Sequence, residues 1–186
     1  MIPKTHIYTY SGVSFSPLSP LEEDISPVDI AHALSYICRA NGHFTGFYSV
    51  AQHCLSCEEE ARLRGCSDDI RLACLLHDAS EAFISDITRP VKRQLAEYRE
   101  IEQRLQSVIY RRFGLDPADE QMLRAVQEID DAMLYHEFLT LGGLALYDEA
   151  PVIISTPDYS FVPFEETEKR FLETLDKLYK TTEDNK

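Results

Sequence analysis

Residues 70–81 read Ile-Arg-Leu-Ala-Cys-Leu-Leu-His-Asp-Ala-Ser-Glu. Leu72 to Leu76 is the most apolar helical pattern in the chain, and Ser67-Asp68-Asp69 ahead of it forms a capping signal, so a buried helix is predicted here. His77 and Asp78 follow it directly. A core helix hides apolar side chains, which makes polar residues on its buried side the informative ones. A carboxylate in such a place stays ionised only if it is paired, hydrogen-bonded or metal-bound. Glu81 lies four residues after His77 and three after Asp78, so helical spacing would put all three on one face. By itself an adjacent His-Asp is better explained as a satisfied histidine at a helix end.

Other segments change that balance. A helix is predicted from Ser49 to Arg64, stopping at Gly65, and His53 sits beside its apolar residues Val50, Cys54 and Cys57. A long helix is predicted from Pro117 to Leu141, ending at Gly142-Gly143. On it, the residues three and four away from Asp130 are Val126, Gln127, Met133 and Leu134, whereas those of Asp131 include Gln127 and Glu128. Asp130 is the better buried candidate, with Asp131 as the alternative. Two histidines and two aspartates suit Mn, Fe, Co, Ni or Zn better than Mg, which prefers an all-oxygen shell. An ion so held acidifies water and polarises a phosphoryl oxygen, the chemistry of phosphoester hydrolysis.

The remainder reads as mostly helical. Residues 1–26 suggest a short hairpin or extended arm around Gly12. Ser26-Pro27 opens a helix with an apolar stripe of Ile30, Ala33, Leu34, Ile37 and Cys38 that is expected to end at Asn41-Gly42. Arg89-Pro90 opens a short helix, and Tyr98 to Phe113 forms an amphipathic one with Tyr98, Tyr110 and Phe113 as core residues. Residues 151–163 read as loop with room for a short strand, 165–180 as a last helix, and Thr181 onward as frayed. The prediction is an all-α, single-domain bundle with an arm over 1–26, a core over 27–142 and a packed loop and helix over 143–186.

The 186 residues, 44% of them hydrophobic, are enough for one core. A net charge of -14 repels long polyanions and disfavours a binder of duplex nucleic acid, although a few local cations can still hold a small phosphorylated molecule. No run approaches the roughly 20 apolar residues that span a bilayer. The N-terminus lacks a secretory pattern, and the five cysteines read as reduced thiols, so a cytoplasmic protein with no membrane role is expected.

The order His53, His77-Asp78, Asp130 resembles the H…HD…D signature of the HD phosphohydrolase superfamily. His77-Asp-Ala-Ser-Glu81 followed by Asp86 and Pro90-Val-Lys92 is similar to the branch containing bacterial 5′-deoxynucleotidases, as is Arg39, fourteen residues before His53. The run DIAHALSYICRANGH…FYSVAQH resembles bacterial and phage HD proteins of this size. The likeness covers residues 1 to 142; the segment after Gly143 adds little to it. It implies an HD-type helical bundle in which His53, His77, Asp78 and Asp130 hold one divalent ion. Glu81 and Asp86 would then handle protons, and Arg39, with Lys92 as a weaker candidate, would hold the phosphate. The expected reaction is cleavage of a (deoxy)nucleoside 5′-monophosphate by metal-activated water; related proteins often form homodimers. The sequence departs from the branch at Ala40, where a Trp usually follows the phosphate-binding Arg. The alternatives are a deoxynucleoside triphosphate triphosphohydrolase on the same site and a non-catalytic nucleotide-binding module.

Plainer readings fit several other residues. Cys54 and Cys57 form a CxxC but read as small core residues. His32 reads as a packed or hydrogen-bonded histidine. His43 is a weaker candidate to approach the substrate. His136 and Glu137 extend the Asp130 helix and could support the ligands, or simply be packed or solvated. Arg89, Lys92 and Arg93 either guide phosphate or pair with surface carboxylates.

Overall fold

The computed structural model describes residues 3–184. Its elements are a hairpin of β1 (Ile7–Tyr8) and β2 (Ser14–Phe15), then helices α1 (Pro27–Tyr36), α2 (Val50–Leu63), α3 (Asp68–Leu76), α4 (Glu81–Ile84), α5 (Arg89–Lys92), α6 (Ala96–Arg112), α7 (Glu120–Gly142) and α8 (Phe164–Asp184). The architecture is an all-α bundle carrying a two-stranded antiparallel hairpin.

Helix α3 lies at the centre because its second half, residues 72–76, is apolar all round, and such a stretch must be covered on every side. Leu72, Ala73, Cys74, Leu75 and Leu76 are all fully buried, packed among α2, α7 and α8. Each buried leucine contributes roughly 2 kcal/mol. Ser67 caps the helix by accepting from the Ile70 N–H. Helix α2 begins with a capping box in which Ser49 and Gln52 satisfy each other's backbone N–H groups. Asp119 caps α7 by accepting from Gln121 and Met122. Gly143 ends α7 in the left-handed region at φ 66°, where a side chain would be strained.

The hairpin is anchored at both ends. Phe15 is fully buried and stacks on Phe83 with ring centroids 4.2 Å apart. The buried carboxylate of Asp29 accepts from Ser11 N–H at 2.6 Å and from the Ser11 hydroxyl at 2.8 Å. Gly12, at φ 89°, makes the turn between them.

Several elements differ from expectation. Helix α1 stops at Tyr36 rather than running to Asn41. Ile37 and Cys38 are extended, with Arg39 N–H donating to Tyr48 and Val50 N–H to Ile37. A tight turn over Arg39–Gly42 follows, with Ala40 and Asn41 at φ 51°. Arg39, at the start of this bend, is turned inward and buried. Ser26 occupies the cap position of α1, but its side chain makes no capping bond. Tyr98 is not a core residue: it is half-buried, its hydroxyl donates to the Ser85 carbonyl, and Lys92 lies over its ring. The segment 151–163 contains no strand. Helix α8 runs through Asp184, past the expected end at residue 180; residues 185–186 lie outside those described. No described helix is long and apolar enough to cross a membrane.

Candidate metal centre

Helix α3 ends at Leu76, and His77 and Asp78 lie in the turn before α4. One continuous helix face for His77, Asp78 and Glu81 is therefore not what forms. The turn still aims His77 and Asp78 toward His53 of α2, and His77 toward Asp130 of α7, while Glu81 faces Lys92 of α5. His77 Nδ1 lies 2.7 Å from the Cys74 carbonyl oxygen, which can only accept. Nδ1 therefore carries a proton, and Nε2 is left facing inward. His53, fully buried in α2, has Nδ1 2.6 Å from Glu137 Oε1. Glu137 is held below the usual carboxylate range: burial pushes it up, but His53 and Arg39 outweigh burial. It is an ionised acceptor, so His53 Nδ1 also donates and its Nε2 also points inward.

The two Nε2 atoms are 3.1 Å apart. Asp130 Oδ1 lies 3.2 Å from His53 Nε2 and 3.7 Å from His77 Nε2, and Asp78 Oδ2 lies 3.8 and 3.4 Å from the same atoms. Zn²⁺ and similar ions sit about 2.0–2.2 Å from nitrogen and oxygen donors, so donors around one ion are spaced roughly 3.0–3.5 Å apart. Three of the observed spacings, 3.1, 3.2 and 3.4 Å, fall in this range, and the other two, 3.7 and 3.8 Å, lie just beyond it. With both Nδ1 atoms protonated, every inward atom is an acceptor, and such a point calls for positive charge. The titration of the groups agrees. Burial pulls both histidines down, yet the facing carboxylates outweigh it; His53 is held above the ordinary imidazole range and His77 well above it. Burial pushes Asp130 and Asp78 up, but the histidines, joined at Asp78 by Arg39, hold Asp78 low and Asp130 well below its usual range.

Of the two candidate aspartates on α7, Asp130 is the one that reaches this point. Asp131 is exposed further out and accepts from Arg89 and Gln127. Two thiols also stand close, making three-residue groupings of His53, Cys57 and His77, and of Cys54, His77 and Asp78. Cys57 Sγ is nearly equidistant from His53 Nε2 and Nδ1, at 3.6 and 3.9 Å. A ligand sharing an ion with Nε2 would be much farther from Nδ1, so the His and Asp donors form the better-aligned set. Burial raises both thiols, which keeps them protonated core residues, as the sequence suggested.

The centre opens on a cavity of about 560 Å³, lined on one side by Arg39, Asp78, Glu81, Asp86, Arg89, Lys92, Arg93 and Asp130. Burial first, then the charges of Asp78 and Asp86, push the Glu81 carboxyl well above its usual range. Its Oε2 is buried with no hydrogen-bond partner among the described residues. Asp86 is raised as well, by burial and by Asp78 against the pull of Arg39. Ser85, at φ 71°, makes the reversal that returns Asp86 toward Glu81.

Arg39 is buried and already engaged, donating to Asp78 Oδ2 at 3.1 Å and to Glu137 Oε2 at 3.1 Å. Lys92 donates to Glu102 at 2.6 Å and lies 3.7 Å from Glu81. Arg89 bridges Asp130 and Asp131. The basic cluster thus faces the cavity, and two of its members, Arg89 and Lys92, also pair with carboxylates.

Other expectations resolve differently. His43 is exposed and does not line the cavity; its neighbour Phe44 does. His136 lies 2.8 Å from the Pro151 carbonyl, away from the centre. His32 stacks on Tyr10 and bonds Glu168, the packed role expected of it. Sequence reasoning missed the apolar wall of Phe44, Leu134, Phe138, Leu146 and Tyr147. Leu146 and Tyr147 come from the segment after Gly143, and Tyr147 stacks on Tyr135 with rings 5.8 Å apart.

No family model matches the chain. It is 38% identical over 136 residues to the uncharacterized protein YfdR of Escherichia coli strain K12, covering 73% of this chain and 72% of that one. The uncharacterized protein RCAP_rcc00048 of Rhodobacter capsulatus is 38% identical over 156 residues, covering 80% of this chain and 78% of its own. The chain belongs to the family of these two proteins.

Proposed function

We propose that this protein is a metal-dependent phosphohydrolase of the HD type that cleaves the phosphoester of a nucleoside 5′-monophosphate. The observation that carries the reading is the convergence of four acceptors, His53 Nε2, His77 Nε2, Asp78 Oδ2 and Asp130 Oδ1, at the inner end of the cavity. These residues would hold one divalent transition ion. Such an ion lowers the pKa of water and polarises a phosphoryl oxygen.

The chain's own groups fit the remaining roles. Arg39 lies at the cavity wall beside Asp78 and would neutralise a phosphate there. Glu81, whose carboxyl its surroundings push well above the usual range, would give its proton to the leaving alkoxide, with Asp86 beside it to accept one from the attacking water. The wall of Phe44, Phe138 and Tyr147 offers apolar surface for a base.

Charge pairing favours one phosphate over three. Arg39, Arg89 and Lys92 are each committed to carboxylates, and Arg93 is the cavity-lining cation with no ion pair among the described residues. A triphosphate would need several uncommitted cations. A non-catalytic module would have no use for the acid pair of buried Glu81 and half-buried Asp86.

The test is phosphate release from a panel of nucleoside mono- and triphosphates with Mn²⁺, Co²⁺, Ni²⁺ or Mg²⁺. Orthophosphate from monophosphates is the expected product. Release of triphosphate would transfer the site to the other reaction, and nucleotide binding without turnover would leave a binding module.

A further inference from the structure

The two oxygens of Asp130 face opposite ways. Oδ1 lies 3.2 Å from His53 Nε2, whereas Oδ2 accepts from Arg89 at 2.8 Å. The other arm of the same guanidinium donates to Asp131 Oδ1 at 2.7 Å, and Asp131 Oδ2 accepts from Gln127 at 2.9 Å. Arg89 opens α5 and is followed by Pro90, whose ring fixes the backbone at the helix start. The guanidinium is therefore held from both ends: by a restrained backbone and by an aspartate fixed in turn by its own helix. Its side chain is 43% exposed, but the Asp130 side chain it grips is only 17% exposed.

We infer that Arg89 is a positioning residue, which takes Oδ2 of Asp130, with Asp131 as counter-anchor, so that Asp130 offers a metal ion Oδ1 alone. The inference rests on the metal-centre reading above and deepens it. A carboxylate free on both sides can close on an ion through two oxygens; one whose second oxygen is occupied cannot. By keeping Asp130 to one oxygen, Arg89 leaves a coordination position for water or substrate. The role needs a planar fork reaching two carboxylates at once, which arginine has and lysine lacks. It also gives the adjacent pair Asp130-Asp131 a joint purpose, one facing the ion and the other holding the arginine that aligns it.

Water-proton relaxation by bound Mn²⁺ reads the inference directly, because it reports exchanging water on the ion independently of turnover. The bound fraction is fixed by the electron paramagnetic resonance signal of free Mn²⁺, and thermal unfolding checks the fold of each variant. In Arg89→Ala the relaxation per bound ion is expected to fall as Asp130 closes on the ion, and phosphate release to drop about 10–100-fold. Arg89→Lys should behave more like Ala than like the parent. Asp131→Asn, a mild change on the outer face, should shift relaxation in the same direction by less. Equal relaxation per bound ion in the parent and both Arg89→Ala and Asp131→Asn would overturn the positioning role. If the parent itself holds no Mn²⁺ under conditions that load other divalent ions, the metal-centre reading is what fails.

Discussion

His53 Nδ1 donates to Glu137 Oε1 across 2.6 Å, and neither side chain has any exposure to solvent. This bond leaves Nε2 to face Asp130 and His77. Glu137 also takes Arg39 on its other oxygen, so one carboxylate orients a proposed metal ligand and a proposed phosphate ligand together. Glu137→Gln keeps the shape but removes the charge, and it turns an amide N–H toward one of two donors. Metal affinity is expected to fall about 10–100-fold. Competition against a chromophoric chelator would show it; an unchanged affinity would mean that Glu137 does not orient His53.

Glu81 should show opposite effects on stability and activity. Its folded-state pKa is raised well above the ordinary carboxyl value. A group raised in this way stabilises the fold fully below its unfolded pKa, and that stability is lost as pH rises through the folded value. In metal-free protein Glu81→Gln removes the penalty, so unfolding at pH 8 should shift to higher temperature, with no gain at pH 4. Phosphate release should fall about 10²–10⁴-fold. Thermal scans at the two pH values and a single-turnover assay test both halves. A variant less stable at pH 8 would contradict the assigned protonation.

Buried Glu60 pins the segment after α7. It accepts from Ile154 N–H at 3.0 Å, Ser155 N–H at 2.8 Å and Arg64 at 2.7 Å. Burial pushes its carboxyl up, but these bonds outweigh burial and hold it low. Its contribution is therefore present above the unfolded carboxyl pKa and lost as pH falls through the folded one. Glu60→Ala is expected to cost about 3 kcal/mol near neutral pH, and less in acid, because several backbone donors lose a charged partner. Denaturant unfolding at pH 7 and pH 4 measures the difference.

The clustering of the candidate metal ligands was legible because these residues break a pattern. His77 and Asp78 end the most apolar run of the chain, and His53 and Asp130 interrupt apolar stripes. The preference for Asp130 over Asp131 rested on neighbours three and four residues away, and that periodicity holds in the continuous helix α7. Where the chain leaves helical geometry, the same reasoning fails. At the break after Leu76, Gln106 donates to the Leu76 carbonyl and accepts from Ser80 N–H, and past the end of α1 Arg39 N–H donates to Tyr48 and Val50 N–H to Ile37, long-range bonds that no local pattern encodes. The wall of Phe44, Phe138 and Tyr147 joins residues far apart in sequence, each of an ordinary apolar type. Arg89 carried only its charge as a signal, and its role depends on the two aspartates that it reaches.

Metal analysis tests the central claim most directly. The parent protein and Asp78→Ala would be purified without chelator, incubated with Mn²⁺, Co²⁺, Ni²⁺ or Zn²⁺, desalted and assayed for bound metal by mass spectrometry, with circular dichroism confirming that both are helical. The expected result is close to one ion per parent chain and background metal in Asp78→Ala. Equal metal in the two proteins, or none in the parent with any of these ions, would contradict the assignment of His53, His77, Asp78 and Asp130 as a metal centre.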